Sequence, residues 1–423
     1  MFDRDRWQEV YQTLKSNKLR TFLTAFGVFW GIFMLMVMLG AGKGLQNAAF
    51  DGLGDFATNS AFIFARQTSI PYKGFPRGRF WEFHTSDMKA LEENIPEIDV
   101  LAPRLQPWGG NGSNNVVRGI KTASYYISGD YPSFSKIDPV SLMQGRFIND
   151  IDVLEKRKVA VIGIRVRQEL FKPDENPIGQ YIRIQGVYFQ VVGVHEPKNK
   201  VNIGGEKDQT IYLPFSTVQV VYNLGDVVHY IMVTAKKNIP VSIVEKKCIA
   251  LLAARNGVAP EDEQAFGHYN LEEQFNKMNG LFAGIQGLIW IVGIGTLIAG
   301  VIGVSNIMLI IVKERTKEIG IQRAIGASPW RVISQVITES VVLTSIAGTF
   351  GLMLGVLLLE SLNKALNSAG GSNSDGMMFM NPGVSFHIAI LALVILVLSG
   401  IIAGLIPARK AVRVKPIDAL RYE

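Results

Sequence analysis

Lys43, set behind Gly42, is where this chain comes nearest to a grip on nucleotide phosphate. A phosphate-binding loop needs glycines whose backbone N–H groups cradle the oxygens, a lysine, and a following Ser or Thr for the magnesium ion. Here Gly44 follows Lys43, and Val37 stands where the first glycine belongs. The chain is therefore not expected to hydrolyse nucleotide by itself. Metal chemistry has equally little to draw on: His84, His195, His229, His268 and His387 are scattered without ligand spacing, whereas structural zinc wants clustered Cys and His. Cys248 is the single cysteine, which excludes an intramolecular disulfide. Neither an HExxH zinc motif nor a GxSxG nucleophile elbow is present. What remains is the chemistry of docking. Residues 313–331, KERTKEIGIQRAIGASPWR, place alternating charges and isoleucines on one short helix-prone segment.

The elements that must position this segment are two long apolar runs. Residues 279–312 carry no charge, and 332–359 carry only Glu339. A short basic segment between two membrane-length runs reads as a cytoplasmic turn-around, because Lys and Arg close to a span set its orientation. Glu339 falls within about two turns of its run's start, where it can pair with Arg331 or Lys313 or serve as a relay. The composition agrees: 423 residues, 48% hydrophobic and 19% charged, with a mean hydropathy of +0.21, is apolar for a soluble protein and leaves room for spans. The net charge of +7 comes from basic residues clustered beside apolar runs. Anionic inner-leaflet lipid explains such a placement better than nucleic acid does.

Two further spans follow from length. Residues 21–42 are uncharged and long enough to cross a hydrocarbon core of about 30 Å; they exceed the apolar centre of a cleavable signal, so an uncleaved anchor is expected. Ahead of it, residues 1–20 carry Trp7, Val10, Tyr11 and Leu14 at helical spacing among basic residues, either an interfacial amphipathic helix or one packed on protein. Residues 384–406 form the last span and 407–423 a basic tail, after an external loop at 360–383 with Lys364 as its one positive charge. All three inferred cytoplasmic segments are basic, which predicts four spans with both termini inside.

Residues 43–278 hold no run long enough to span and read as a large extracytoplasmic α+β domain. Strands are expected at 59–66, 116–120, 158–162, 181–184, 188–194, 210–213 and 229–234, rich in β-branched and aromatic residues. Gly186 and Val187 would form the two-residue turn between two of these strands, glycine first. Helices are expected at 86–94, with Ser86 as cap and Lys89 opening a charged face, at 165–171, and at 241–256 before Gly257. Loops rich in Gly, Pro and Asn near 70–80 and 108–115 suggest two lobes, 116–213 in the middle and 59–107 with 226–257 flanking it.

The uncharged run 279–312 would measure about 51 Å as one helix, more than a span needs. Its excess, preceded by the charged 271–278, predicts a stalk continuous with the second span, or else a kink at one of its glycines. Each span also carries glycines four apart: Gly27 with Gly31, Gly280 with Gly284, Gly351 with Gly355, and Gly400 with Gly404. Such pairs let helix backbones approach closely in lipid.

KERTKEIGIQRAIGAS, at 313–328, resembles the cytoplasmic loop of the MacB/FtsX-type ABC transporter permeases, which runs like ERTxEIGxRxAxGA. SNKLRTFLTAFGVFWG at 16–31 looks like their first span, and IPARKAVRVKPIDALRYE at 406–423 like their terminal signature. GRFINDIDVLEKRKVAVIG and PIGQYIRIQGVYFQVVGV, within 145–194, are similar to the MacB-like periplasmic core.

The resemblance implies an inner-membrane permease of four transmembrane helices plus a large extracytoplasmic α+β domain, joined by helical stalks and working as a homo- or heterodimer. Its cytoplasmic loop would dock an ATPase as a coupling helix. Glu314, Arg315, Glu318, Arg323 and Gly326 are the matching positions, Ile319, Ile321 and Ile325 would form the apolar stripe, and Pro329 would end the helix. MacB itself carries a fused ATPase domain, and here about 20 residues precede the first span, so a separate ABC ATPase subunit is expected. ATP and Mg2+ would bind there, with no cofactor in this chain. A periplasmic adaptor and an outer-membrane duct are implied where the cell has two membranes. The leading expectation is ATP-driven export of peptides, drugs or lipid-linked cargo. A regulator of cell-wall hydrolases of the FtsX kind and a lipoprotein-releasing permease are the alternatives.

Overall fold

The computed structural model describes residues 18–52, 56–107, 114–197, 202, 205–369, 379–384 and 386–412. Two compact units divide the chain, Met1–Phe50 with Gly280–Glu423 and Asp51–Asn279. The amphipathic reading of 1–17 and the tail beyond 412 lie outside the described residues.

The first helix, α1 (Lys18–Asp51), is apolar around most of its circumference and supplies a candidate span at Ala25–Asp51. It runs well past residue 42, because the sequence between the span and Asp51 holds no proline to stop it.

The α+β unit follows in the order β1 (Ser60–Ala65), β2 (Phe83–His84), α2 (Thr85–Asn94), β3 (Ile98–Leu105), β4 (Asn115–Arg118), β5 (Lys121–Ser124), β6 (Tyr126–Asp130), α3 (Phe134–Ile137), β7 (Leu142–Gly145), α4 (Asp150–Leu154), β8 (Val159–Gly163), α5 (Ile164–Leu170), β9 (Tyr181–Ile184), β10 (Val187–His195), β11 (Thr210–Pro214), α6 (Phe215–Val221), β12 (Val227–Val228), β13 (Tyr230–Ala235), α7 (Val241–Asn256) and β14 (Phe266–Asn270). Along one sheet the strands order β14-β1-β13-β3-β6-β11-β8-β10-β9-β4-β5, with β7 beside the end of β10; β2 and β12 form a separate pair. Alternation gives the sheet two faces. Ile63, Ile162, Leu213 and Val233 enter one buried cluster with Leu91 and Leu252, whereas their neighbours Phe62, Val161, Tyr212 and Met232 enter another with Phe56, Phe134 and Leu271.

The two lobes expected from loop placement share this one sheet. Their seam is the short β3–β6 ladder, Arg104 opposite Asp130 and Leu105 opposite Gly129. Arg104 and Asp130 are almost wholly buried. Two parallel bonds join them, Nε–Oδ1 at 2.7 Å and Nη2–Oδ2 at 3.0 Å, and Ser128 donates to the same carboxylate at 2.8 Å. Beside them Lys207 and Asp138 form a second buried pair at 2.5 Å.

Two local expectations are corrected. The β9–β10 turn is Gln185-Gly186, both with positive φ (49° and 79°), so glycine comes second, as a type I′ turn requires. The cap of α2 is His84, whose N–H is accepted by Asp87 at 3.1 Å, rather than Ser86. Helix α7 spans the residues expected of it and closes on Gly257 at φ 59°, the left-handed cap.

Four helices follow among the described residues: α8 (Leu271–Glu314), α9 (Thr316–Ala324), α10 (Pro329–Ala369) and α11 (Phe386–Val412). With α1, the helices α8, α10 and α11 are long and apolar enough to cross a membrane. Helix α8 is unbroken over 44 residues, about 66 Å at 1.5 Å per residue. None of its glycines interrupts it. Helix α10 continues to Ala369, through residues that hydropathy assigns to the external loop, and α11 continues through Pro407 to Val412.

Candidate functional site

The 313–331 segment folds as a short helix between two turns. Helix α8 stops at Glu314, Arg315 leaves helical geometry, and α9 begins at Thr316, whose hydroxyl donates back to the Lys313 carbonyl at 2.7 Å. At the far end Gly326 adopts φ 103°. Its N–H donates to the Arg323 carbonyl at 3.1 Å and that of Ala327 to the Gln322 carbonyl at 3.0 Å, the paired bonds that close a helix on a left-handed glycine. Gly326 therefore ends α9, in place of Pro329. Pro329 instead opens α10, where its missing N–H costs nothing.

The isoleucines do not form one stripe. Residues two apart on a helix point about 200° away from each other. Ile319 is buried in a cluster with Val312 of α8, Val332 and Val336 of α10, and Ala408 and Ala411 of α11. Ile321 and Ile325, four apart, share the opposite, exposed face, and Ile325 is 82% exposed. Trp330, at the start of α10, is 71% exposed. Lys313, Glu314, Lys317 and Glu318 are exposed as well.

Two arginines anchor the segment. Arg315 Nη1 donates to Glu339 Oε1 on α10 at 3.2 Å, and its Nε lies 3.7 Å from Glu318. Glu339 is buried, so its partner is Arg315, not Arg331 or Lys313. A buried carboxylate among spans is expensive without such a cation. Arg323 donates to the carbonyl of Val412, the last described residue of α11. Of the matching positions, Glu314 and Glu318 thus face outward, Arg315 and Arg323 tie α9 to neighbouring helices, and Gly326 shapes the turn.

The glycine pairs divide as well. A Cβ at Gly351 would sit 2.5 Å from the Phe29 carbonyl oxygen of α1, and one at Gly355 3.0 Å from Met36 Cβ. Gly27 and Gly31 face Gly300 and Leu297 of α8. On α11, Gly404 meets Ile337 and Ser340 and Gly400 meets Val341 and Thr344. Among the described residues nothing lies within 4 Å of a Cβ at Gly280 or Gly284, so this pair makes no close helix contact there. The buried Ser340 and Thr344, four apart on α10, complete the contact with α11. That spacing was readable as another small-residue pair.

Gly42 and Lys43 lie inside α1, with Lys43 Nζ donating to Gln46 at 3.1 Å. Helical backbone there spends its N–H groups on the helix and cannot cradle phosphate. Among the described residues no three His, Cys, Asp or Glu side chains stand close enough to hold a metal.

An extracytoplasmic-type α+β domain inserted after a first membrane helix, followed by three more such helices and a short anchored helix between two of them, is the architecture of a membrane permease. The chain belongs to the family of MacB-like permeases: residues 21–250 match the MacB-like periplasmic core domain, and residues 290–416 match the FtsX-like permease C-terminal domain. Among its relatives are the macrolide export ATP-binding/permease protein MacB of Shewanella sp. (strain W3-18-1), 29% identical over 99% of this chain and 61% of that protein. The pyoverdine export ATP-binding/permease protein PvdT of Pseudomonas savastanoi pv. phaseolicola is 30% identical over 99% and 60%. The chain thus spans about three-fifths of the length of these relatives. Solved structures with some likeness include the periplasmic region of MacB from Actinobacillus actinomycetemcomitans, at 20% identity and TM-score 0.43, covering 54% of this chain and 96% of that one.

Proposed function

We propose that this chain is the permease subunit of an ABC-type extrusion system of the MacB kind, with both termini in the cytoplasm. An ABC ATPase outside these residues binds ATP and Mg2+ and docks on the exposed face of α9. Its movement passes through α8 to the α+β unit, which drives export of peptides, drugs or lipid-linked cargo. Two permeases act as a dimer, with a periplasmic adaptor and an outer-membrane duct where the cell has a second membrane. The observation that carries this reading is the division of labour on α9. Ile319, Arg315 and Arg323 fasten the helix to α8, α10 and α11, while Ile321 and Ile325 are left apolar and exposed.

Such a helix transmits force because it is fixed on one side and adhesive on the other. An exposed apolar patch beside charges is what a docking partner covers. The test is co-purification of the ATPase with Ile321→Asp/Ile325→Asp and with Glu314→Ala. Loss of association with an intact thermal transition is expected for the first and a weaker defect for the second. Unchanged association and transport in both would refute the docking role.

A further inference from the structure

A cleft of about 560 Å³ opens on the α+β unit, with no residue of α9 among its walls. Its walls come from β1 (Phe64, Ala65), from the segment leading into β2 (Phe80, Trp81, Glu82, His84), and from β12 to β13 (Val228, His229, Tyr230). Two ladders fix this geometry. Phe64 is the cross-strand partner of Tyr230, with ring centroids 5.6 Å apart, and β2 pairs with β12 through Phe83 and Val228. Gly267 opposite Phe64 leaves room for its ring, since a Cβ there would overlap it. Trp81 is held edge-on by Phe83 at 5.2 Å and Phe266 at 4.9 Å. Phe80 at the mouth is 80% exposed.

The charge in the cleft is one-sided. Glu82 is its acid, and no Lys or Arg lines it. Arg79, which precedes Phe80 in sequence, turns away: it donates to the carbonyls of Asn256 and Gly257 and stacks on Phe75 at 4.0 Å. His229 adds no opposing charge. Burial holds the His229 imidazole below its ordinary range although Glu82 pulls the other way. Its Nδ1 accepts the Gln106 N–H at 3.1 Å, which leaves the proton of the neutral ring on Nε2. His84 Nδ1 bonds to Asp226 Oδ1 at 3.1 Å, which brings a second carboxylate to the rim.

Aromatic faces attract cations through their quadrupoles, and a carboxylate at the edge adds directional charge. The volume suits a small molecule. We propose that this cleft binds a small organic cation, a quaternary or tertiary alkylammonium group, against Phe64, Phe80 and Tyr230 with Glu82 as counter-charge. None of the residues that line the cleft belongs to α9, so the site is separate from the docking face.

The experiment compares choline with 3,3-dimethylbutan-1-ol, which share a shape and differ in charge, by saturation-transfer NMR on the full chain in maltoside micelles. Choline should bind at least fivefold more tightly than the alcohol. Glu82→Gln and Phe80→Ala should each weaken choline at least fivefold without moving the thermal midpoint, because both side chains are exposed. Glu263→Gln, an exposed acid outside the cleft, should leave the Kd unchanged. Equal binding of the two probes, no saturable choline binding, wild-type affinity in either cleft variant, or an equal loss in Glu263→Gln overturns the proposal.

Discussion

Arg315 and Glu339 are 24 residues apart in sequence and 3.2 Å apart in space, and together they join the short helix α9 to the long helix α10. Removing Glu339 leaves Arg315 to the exposed Glu318, and removing Arg315 takes the cation from a buried carboxylate beside an apolar cluster. Glu339→Ala should cost about 2 kcal/mol, less than a wholly buried pair because Arg315 keeps some solvent. Differential scanning fluorimetry in detergent should show a midpoint lower by several degrees in Glu339→Ala and in Arg315→Glu. The double exchange Arg315→Glu/Glu339→Arg should recover at least half of the loss. No recovery would mean that the pair's attraction is not what holds α9.

Gly351 and Gly284 make opposite predictions although both belong to glycine pairs. A methyl at Gly351 meets the Phe29 carbonyl, which is backbone and cannot swing aside. Gly351→Ala should therefore destabilise the chain by roughly 1–3 kcal/mol. Gly284→Ala meets open space and should change the midpoint of the detergent-solubilised chain by less than about 0.5 kcal/mol equivalent. Equal effects would show that helix propensity, not close packing, decides both.

At the seam of the α+β unit, burial pushes the Asp130 carboxyl up while Arg104 pulls it down. The paired bonds in a dry setting make truncation of one partner severe, about 3–5 kcal/mol for Asp130→Ala. Loss of near-ultraviolet circular dichroism at a lower denaturant concentration checks this. An unchanged midpoint would show the two lobes to be held by apolar contacts alone.

Stability of the same unit should fall in mild acid. Burial depresses His195 to about 4, and its Nε2–H donates to the Thr210 carbonyl at 3.1 Å. The unfolded chain, with an ordinary pKa near 6.5, binds a proton that the folded chain refuses. The contribution is present above about pH 6.5 and is lost progressively down to about pH 4, up to roughly 3 kcal/mol. His195→Gln should flatten the part of the pH–stability curve between those values. An identical slope in the variant would assign acid sensitivity to other groups.

Much of this architecture is legible in the residues, for reasons that also explain the rest. Hydropathy finds the long helices because lipid demands unbroken apolar runs, and 181–184 and 241–256 announce themselves by alternation and by a glycine cap. Strands β3 and β6 are hidden. β3 contains Asp99, Pro103 and Arg104, and β6 ends in Gly129 and Asp130, residues that weigh against a strand until Arg104 and Asp130 meet across it. The site shows the same split: its charges and isoleucines are visible in 313–331, but sequence spacing alone put Ile319 with Ile321. The helical period separates them, and Glu339 chose Arg315 through a tertiary contact no local pattern encodes. The aromatic cleft escaped notice because its walls come from three distant segments.

The most direct test of ATPase docking is maleimide labelling of Ile325→Cys. The native Cys248 is fully buried, and burial pushes its thiol up to about 12, so it should react slowly. Position 325 should label rapidly in the permease alone and at least fivefold more slowly with its ABC ATPase and ATP bound. An identical labelling rate with and without the ATPase, under conditions where the complex elutes intact, would contradict docking on this face of α9.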